Sequence, residues 1–221
     1  MSEKLRLHVD VVSDVVCPWC YIGKKRLEDA LKLLDDVEVT VRWRPFFLNP
    51  WIPREGIDRD TYLEAKFGSV DAYKNIASNV GQAAAAEGLA YNSAAISRQP
   101  NTTDCHRLIW WAEQIGRAGA MKQRLMDLYF REGADLTDRE VLVQAAAECW
   151  LDPDAVRARL ETDEDVELIS QSAQAAANAG VNGVPTFILG GKYGVSGAQP
   201  SEQLASAIRQ VAALGKQAAA E

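Results

Sequence analysis

The chain has 221 residues, carries a formal net charge of −7, and is 48% hydrophobic and 25% charged. That length gives one large domain, or one domain with a sizeable insertion. The acidic balance and the lack of any basic tract or membrane-length apolar run argue against nucleic-acid partners and membrane spans.

The first residues, Met1 to Arg6, lead straight into an alternating run, Leu7-His8-Val9-Asp10-Val11-Val12, which predicts a strand over 5–12. No apolar core or small-residue cleavage site of a secretory signal precedes it, so the expectation is a cytoplasmic protein. Structural disulfides are uncommon in that compartment, and a C-x-x-C pair there points to redox or metal chemistry. Cys17-Pro18-Trp19-Cys20 is such a pair. Leu27, Ala30, Leu31 and Leu34 follow with helical spacing and predict a helix from about Cys20 to Leu34. The pair therefore sits at a strand-to-helix junction, where free N–H groups and the helix dipole stabilise a Cys17 thiolate. Cys20, one turn on, is placed to resolve a mixed disulfide.

Val37 to Trp43 alternates again and predicts a second strand, parallel to the first across a crossover helix. The stretch 44–53 breaks with three prolines yet is unusually apolar. Phe46, Phe47, Trp51 and Ile52 are read equally as a peptide-binding rim beside Cys17 and as packing between substructures.

Residues 59–179 read as almost wholly helical. Tyr73, Ile76, Ala77 and Val80 share a face before a stop at Gly88. Thr102-Thr103-Asp104 caps a helix carrying Leu108, Ile109, Ala112 and Ile115, and Met121, Leu125, Leu128 and Tyr129 mark another that ends near Gly133. Thr137-Asp138-Arg139-Glu140 matches a capping box, and Asp152-Pro153 a cap followed by proline at the first helical position. A last helix runs from about Asp163 to Gly180. Residues 186–189 and 192–195 then form a hairpin around Gly190-Gly191, and Ser201 caps a final helix whose end, 217–221, is expected to fray.

The order β-α-β, helical block, β-β-α is a thioredoxin-type unit with an insertion. The expected fold class is α/β: a thioredoxin fold with a large inserted all-helical domain. Residues 1–58 and 180–221 form the discontinuous thioredoxin-like part, and 59–179 the insert. Gly183-Val184-Pro185-Thr186-Phe187 places a proline at the start of the third strand, where a missing N–H is tolerated. In thioredoxin-type folds a cis proline there faces the dithiol, and a cis Val184–Pro185 bond is expected.

Ser13-Asp14-Val15-Val16-Cys17-Pro18-Trp19-Cys20-Tyr21-Ile22-Gly23 closely resembles the active-site segment of the cytoplasmic FrnE-like branch of the DsbA family. Arg44-Pro45-Phe46 with Leu48-Asn49-Pro50, Asn101-Thr102 with His106-Arg107-Leu108, Gly180-Val181, Gly183 to Phe187 and Ser196-Gly197-Ala198-Gln199 extend the resemblance along most of the chain. It implies thiol–disulfide oxidoreductase or isomerase activity, with Cys17 as nucleophile, Cys20 as resolving thiol and Pro185 as the cis proline. Pro18, Trp19, Val184, Pro185, Phe46 and Asn49 are the candidate substrate-binding residues. The expected partners are protein or small-molecule thiols and disulfides. Glutathione, held by Asn49 and the Val184-Pro185 backbone, is the candidate reductant. No cofactor and no metal are expected: only one C-x-x-C pair exists, without a second spaced pair. Monomer and homodimer stay open.

Two alternatives compete. Kappa-class glutathione transferases and 2-hydroxychromene-2-carboxylate isomerases resemble this architecture but use serine in place of Cys17. A redox-independent holdase would work through the apolar loop alone. Cys105 and Cys149 lie outside the resemblance and are read first as buried, inert thiols, then as a disulfide, and third as part of a metal site. His106 is read as a hydrogen-bonded interface histidine, His8 as packing, Asp14 equally as a proton acceptor for Cys20 and as a turn former, and Trp110-Trp111 as straddling core and surface.

Overall fold

The computed structural model describes residues 4–218. The expectations for Met1 to Glu3 and for fraying over 219–221 lie outside them. In chain order the elements are β1 (Leu5–Ser13), α1 (Pro18–Lys32), β2 (Val37–Pro45), β3 (Ile57–Asp58), α2 (Arg59–Phe67), α3 (Val70–Ala86), β4 (Arg98–Gln99), α4 (Thr103–Glu113), α5 (Ala118–Asp127), α6 (Arg139–Glu148), α7 (Pro153–Leu160), α8 (Val166–Asn178), β5 (Thr186–Leu189), β6 (Tyr193–Ser196) and α9 (Ser201–Ala218). A four-stranded sheet in the order β2-β1-β5-β6 is parallel between β1 and β2 and antiparallel elsewhere. This is the thioredoxin arrangement, with a helical block between β2 and β5.

β1 is one of the two inner strands, and Val9, Val11 and Val12 are at most 1% exposed. A strand covered on both sides needs apolar residues on both faces, which is why its C-terminal half does not alternate in polarity as a one-sided strand would. Val9, Val11, Leu27, Ala30, Phe187, Leu189, Leu204 and Ile208 form one core, in which α1 and α9 pack on β1 and on each other. A second, larger core joins Val15, Val16, Cys17, Cys20 and Tyr21 to Leu108, Met121, Leu125 and Phe130 of the helical block. The segment that carries the cysteines is therefore the seam between the two halves. α8 lies against both β2 and α4.

Several boundaries differ from the sequence reading, each for a local reason. α1 starts at Pro18 instead of Cys20, because proline at the first helical position needs no N–H acceptor and its φ is already helical. β2 continues two residues past Trp43, since Arg44 reaches Asp10 on β1 and Pro45 stays in register with Ser13. The block is interrupted by a β3–β4 ribbon and by a wide π turn at Leu128–Glu132. Asp138, not Thr137, caps α6, accepting from the Glu140 N–H at 2.9 Å, so no capping box forms. At α4 it is the Asn101 side chain that accepts from the Thr103 N–H, at 3.0 Å. The β5–β6 turn holds Gly190, Gly191 and Lys192, one residue more than expected, because Leu189 pairs with Tyr193. Asp152 caps α7 as predicted.

Candidate active site

Cys17 is the N-cap of α1. Its backbone is extended, with φ −90° and ψ 113°, and its carbonyl accepts from the N–H groups of Cys20 at 3.0 Å and Tyr21 at 3.2 Å. The Val184–Pro185 bond is cis, as the sequence predicts. Cys17 Sγ lies 3.6 Å from the Val184 carbonyl, to which it donates as a thiol. The Pro185 ring packs on α1 at Gly23, where a Cβ would come within 2.8 Å of Pro185 Cγ. Cys17 and Cys20 are close, unbonded and buried, 4% and 2% exposed.

The two thiols are pushed in opposite directions. The neighbouring Cys20 thiol is the largest influence on Cys17 and holds its pKa below the ordinary thiol value. Burial and the Asp14 charge oppose this, and the Cys20 and Trp19 N–H groups reinforce it. Cys20 is raised well above that value by burial first, then by Cys17 itself. This separation matches a nucleophile and a resolving thiol.

Beneath them lies a buried charged group. Asp14, 1% exposed, accepts from the Leu48 N–H at 2.8 Å through Oδ2. His106 Nε2 stands 3.4 Å from Asp14 Oδ1 and 3.3 Å from the Phe46 carbonyl. One N–H cannot serve both acceptors, and Asp14 Oδ1 is left without an aligned donor. Burial pushes the His106 pKa down, so the ring is neutral near pH 7. Burial works to raise Asp14, but His106, the Leu48 N–H and Lys122 outweigh it and keep the carboxyl an anion. Lys122, 1% exposed on α5, is the basic member of the group; burial lowers its pKa, against the pull of Cys20, Asp14 and Cys17.

Cys17 opens into a groove of about 270 Å³. Val16, Pro18, Trp19 and Val184 line it beside the thiol, and Tyr62, Tyr73, Ile76, Val80 and Phe130 form its apolar wall. Arg59 and Lys66 supply positive charge. Trp19, 42% exposed, is the accessible member of the C-x-x-C segment.

A family model for the DsbA-like thioredoxin domain matches residues 8–209. The chain belongs to the DsbA-like thioredoxin family. It is 37% identical to a Streptomyces coelicolor protein described as a probable DsbA oxidoreductase, with a TM-score of 0.83 over 93% of this chain and 89% of that one. The fold extends to a 2-hydroxychromene-2-carboxylate isomerase at 17% identity, with a TM-score of 0.70 over 96% and 98% of the two chains. It extends also to the cytosolic disulfide reductase DsbM of Pseudomonas aeruginosa with GSH, at 16% identity and a TM-score of 0.61 over 97% and 100%.

Not every residue singled out in the sequence of this DsbA-like chain faces the groove. Cys17, Pro18, Trp19 and Val184 do, and Pro185 stands behind Val184. Phe46 is outside its lining and contributes its carbonyl to His106. Asn49, 7% exposed, is held by Lys66 and by the Tyr62 hydroxyl at 3.4 Å. The apolar loop packs inward only in part: Phe47 meets His106 edge-on and Ile52 is buried with Leu63, whereas Trp51 stacks on Tyr62 and stays 51% exposed. Cys105 and Cys149 are free and buried, with thiols raised first of all by burial, which suits inert cysteines. His8 is not the packing residue expected; its side chain is 41% exposed near Asp10. Trp111 is buried and donates to Asp165, whereas Trp110 is half-exposed. Among the described residues no helix is long and apolar enough to cross a membrane, and no His/Cys/Asp/Glu cluster suits a metal.

Lys122 was not singled out in the sequence. Its signal is position: Ala118, Met121, Lys122 and Leu125 fall on one face of α5, and a lysine in an apolar stripe is unusual.

Proposed function

We propose that the chain is a thiol–disulfide oxidoreductase in which Cys17 is the nucleophile and Cys20 the resolving thiol. The observation that carries this reading is the opposed tuning of two thiols at the N-terminus of α1, with the Val184 carbonyl 3.6 Å from Cys17 Sγ. In the reductive direction Cys17 thiolate attacks a substrate disulfide; one S–S bond forms, the other breaks, and the first substrate thiolate leaves. Cys20 then gives its proton toward the buried Asp14–Lys122 group and attacks Cys17 Sγ, releasing the second thiolate. Two electrons pass to substrate, and the enzyme ends as the Cys17–Cys20 disulfide. Two equivalents of a small thiol, glutathione in a cytoplasmic setting, return it to the dithiol through a mixed disulfide and leave as their own disulfide. The groove and the free backbone at Val184 seat the chain or small molecule that bears the disulfide. The paired cysteines weigh against a serine-type glutathione transferase.

The test is insulin reduction and refolding of a scrambled-disulfide substrate. Cys17→Ser is expected to lose both activities, and Cys20→Ser to accumulate a mixed disulfide with substrate, visible by mass spectrometry. Full activity in Cys17→Ser would overturn the assignment.

A further inference from the structure

A second cavity lies on the other side of the buried Asp14–Lys122 group, away from the groove that holds Cys17. It encloses about 250 Å³ between β2, α4, α5 and α8. Its buried lining is Ile109, Ile169, His106 and Lys122, each at most 4% exposed. The indoles of Trp43 and Trp110 form walls, while Leu168 and Glu113 are partly exposed and mark the opening. None of these residues takes part in the thiol chemistry except through Lys122 and His106.

The charges in this cavity are not balanced. Two ammonium groups share the Trp43 ring, Lys122 at 5.6 Å and Lys24 at 5.8 Å from its centroid. Lys24 is satisfied by Glu28. Arg44, also at the cavity, is held by Asp10 at 2.8 Å. Lys122, 1% exposed and lining the cavity, makes no salt bridge within 4 Å among the described residues; Asp14 is a nearby negative charge but not a direct partner, and Nζ is not one of the fully enclosed unpartnered nitrogens. Burying an ammonium without a partner is costly, and an anion brought to it offsets that cost. His106 adds no charge, being neutral, and the Glu113 carboxylate stands at the rim and favours a ligand with a single anionic end.

We infer that this cavity is a binding site for a small apolar monocarboxylate, whose carboxylate pairs with Lys122 and whose hydrocarbon lies against Trp43, Trp110, Ile109 and Ile169. The size fits: an apolar cavity of about 150 Å³ already takes a benzene-sized guest. The lining argues against a phosphate, which would need several donors, because Lys122 is the one cation of the lining without a salt bridge among the described residues. The site is separate from the substrate groove, and its occupation does not depend on the redox reading.

Titration calorimetry of the whole, reduced protein with hexanoate tests this. Saturable 1:1 binding is expected, at least about tenfold weaker in Lys122→Met, as for loss of a charge-assisted contact. The native protein is expected to show a loss of similar size when hexanamide replaces hexanoate, which tests the charge without any mutation. Ser172→Phe, which puts a ring into the cavity from α8, is expected to abolish binding with unchanged far-ultraviolet circular dichroism. Alkylation of Cys17 is expected to leave binding intact. Absence of hexanoate binding, equal affinity for hexanamide, or loss of binding on Cys17 alkylation overturns the inference.

Discussion

Cys17, Cys20, Asp14 and Lys122 act as one electrostatic group, and the response of each to pH follows from the others. Because Cys17 is held below the ordinary thiol value, its thiolate persists as pH falls below the usual thiol range and is lost only through its own, lower pKa. Alkylation by iodoacetamide, followed against pH, should therefore give a midpoint below that of a free thiol, and one at or above it would contradict the site description. Asp14→Asn removes the anion that raises Cys17 and leaves Lys122 without its nearby negative charge. That variant is expected to lower the alkylation midpoint further while slowing release of the mixed disulfide, as read by quenched-flow mass spectrometry. The acid was legible in the sequence only as one of two readings, because Asp14 by itself looks like any turn-forming aspartate. The fold shows features of both: the Asp14 carbonyl accepts from the Cys17 N–H at 3.3 Å in a turn, and its carboxyl is buried beside Leu48, His106 and Lys122, brought together from distant parts of the chain.

At the scale of elements, two contacts position the site. β2 is tied to β1 by Asp10, which accepts from Arg42 at 2.6 and 2.8 Å and from Arg44 at 2.8 Å. Burial tends to raise the Asp10 pKa, and the two arginines more than reverse it. A carboxyl depressed in the folded state stabilises above its unfolded pKa and loses that contribution as pH falls through the folded value. Asp10→Asn is accordingly expected to cost about 1–2 kcal/mol near neutral pH, at the low end because the arginines are a third or more exposed. The gap to the native protein in urea unfolding should close on acidification. The second contact is α1 against Pro185. Gly23→Ala brings a Cβ to 2.8 Å from a ring that cannot swing away, and overpacking of this kind costs about 1–3 kcal/mol. The variant should also reduce insulin more slowly, since the displaced Pro185 carries the Val184 carbonyl with it. Most elements were legible, because strand alternation and the Asp152 cap are local; the start of α1 is read two residues late, at Cys20, because Pro18 is not taken as a first helical residue. The β3–β4 ribbon was not: two residues on each strand give no periodicity, and Ile57 and Asp58 pair with the distant Gln99 and Arg98.

For the whole molecule, the expected division into a thioredoxin-like part and an inserted helical domain meets a core to which both contribute. Val15, Val16, Cys17, Cys20 and Tyr21 are packed in the same core as α4, α5 and α6. We propose that neither part is stable alone. Urea unfolding followed by tryptophan fluorescence and by circular dichroism should give coincident transitions, and replacing 59–179 with a short linker should leave a chain without a cooperative transition. Two separated transitions would show that the insert folds independently.

Cys17 and Cys20 belong to that shared core, and this has a thermodynamic corollary. Forming or breaking a bond between them changes the packing at the centre of the protein, so the oxidised and reduced forms need not be equally hard to melt. By a closed cycle, any difference between their unfolding free energies equals the difference in reduction potential between the folded and the unfolded dithiol, about 30 mV for every 1.4 kcal/mol. Substitutions at Met121 or Phe130, far along the chain from either cysteine, thereby become handles on electron affinity, and paired calorimetric scans of the two redox forms suffice to measure it.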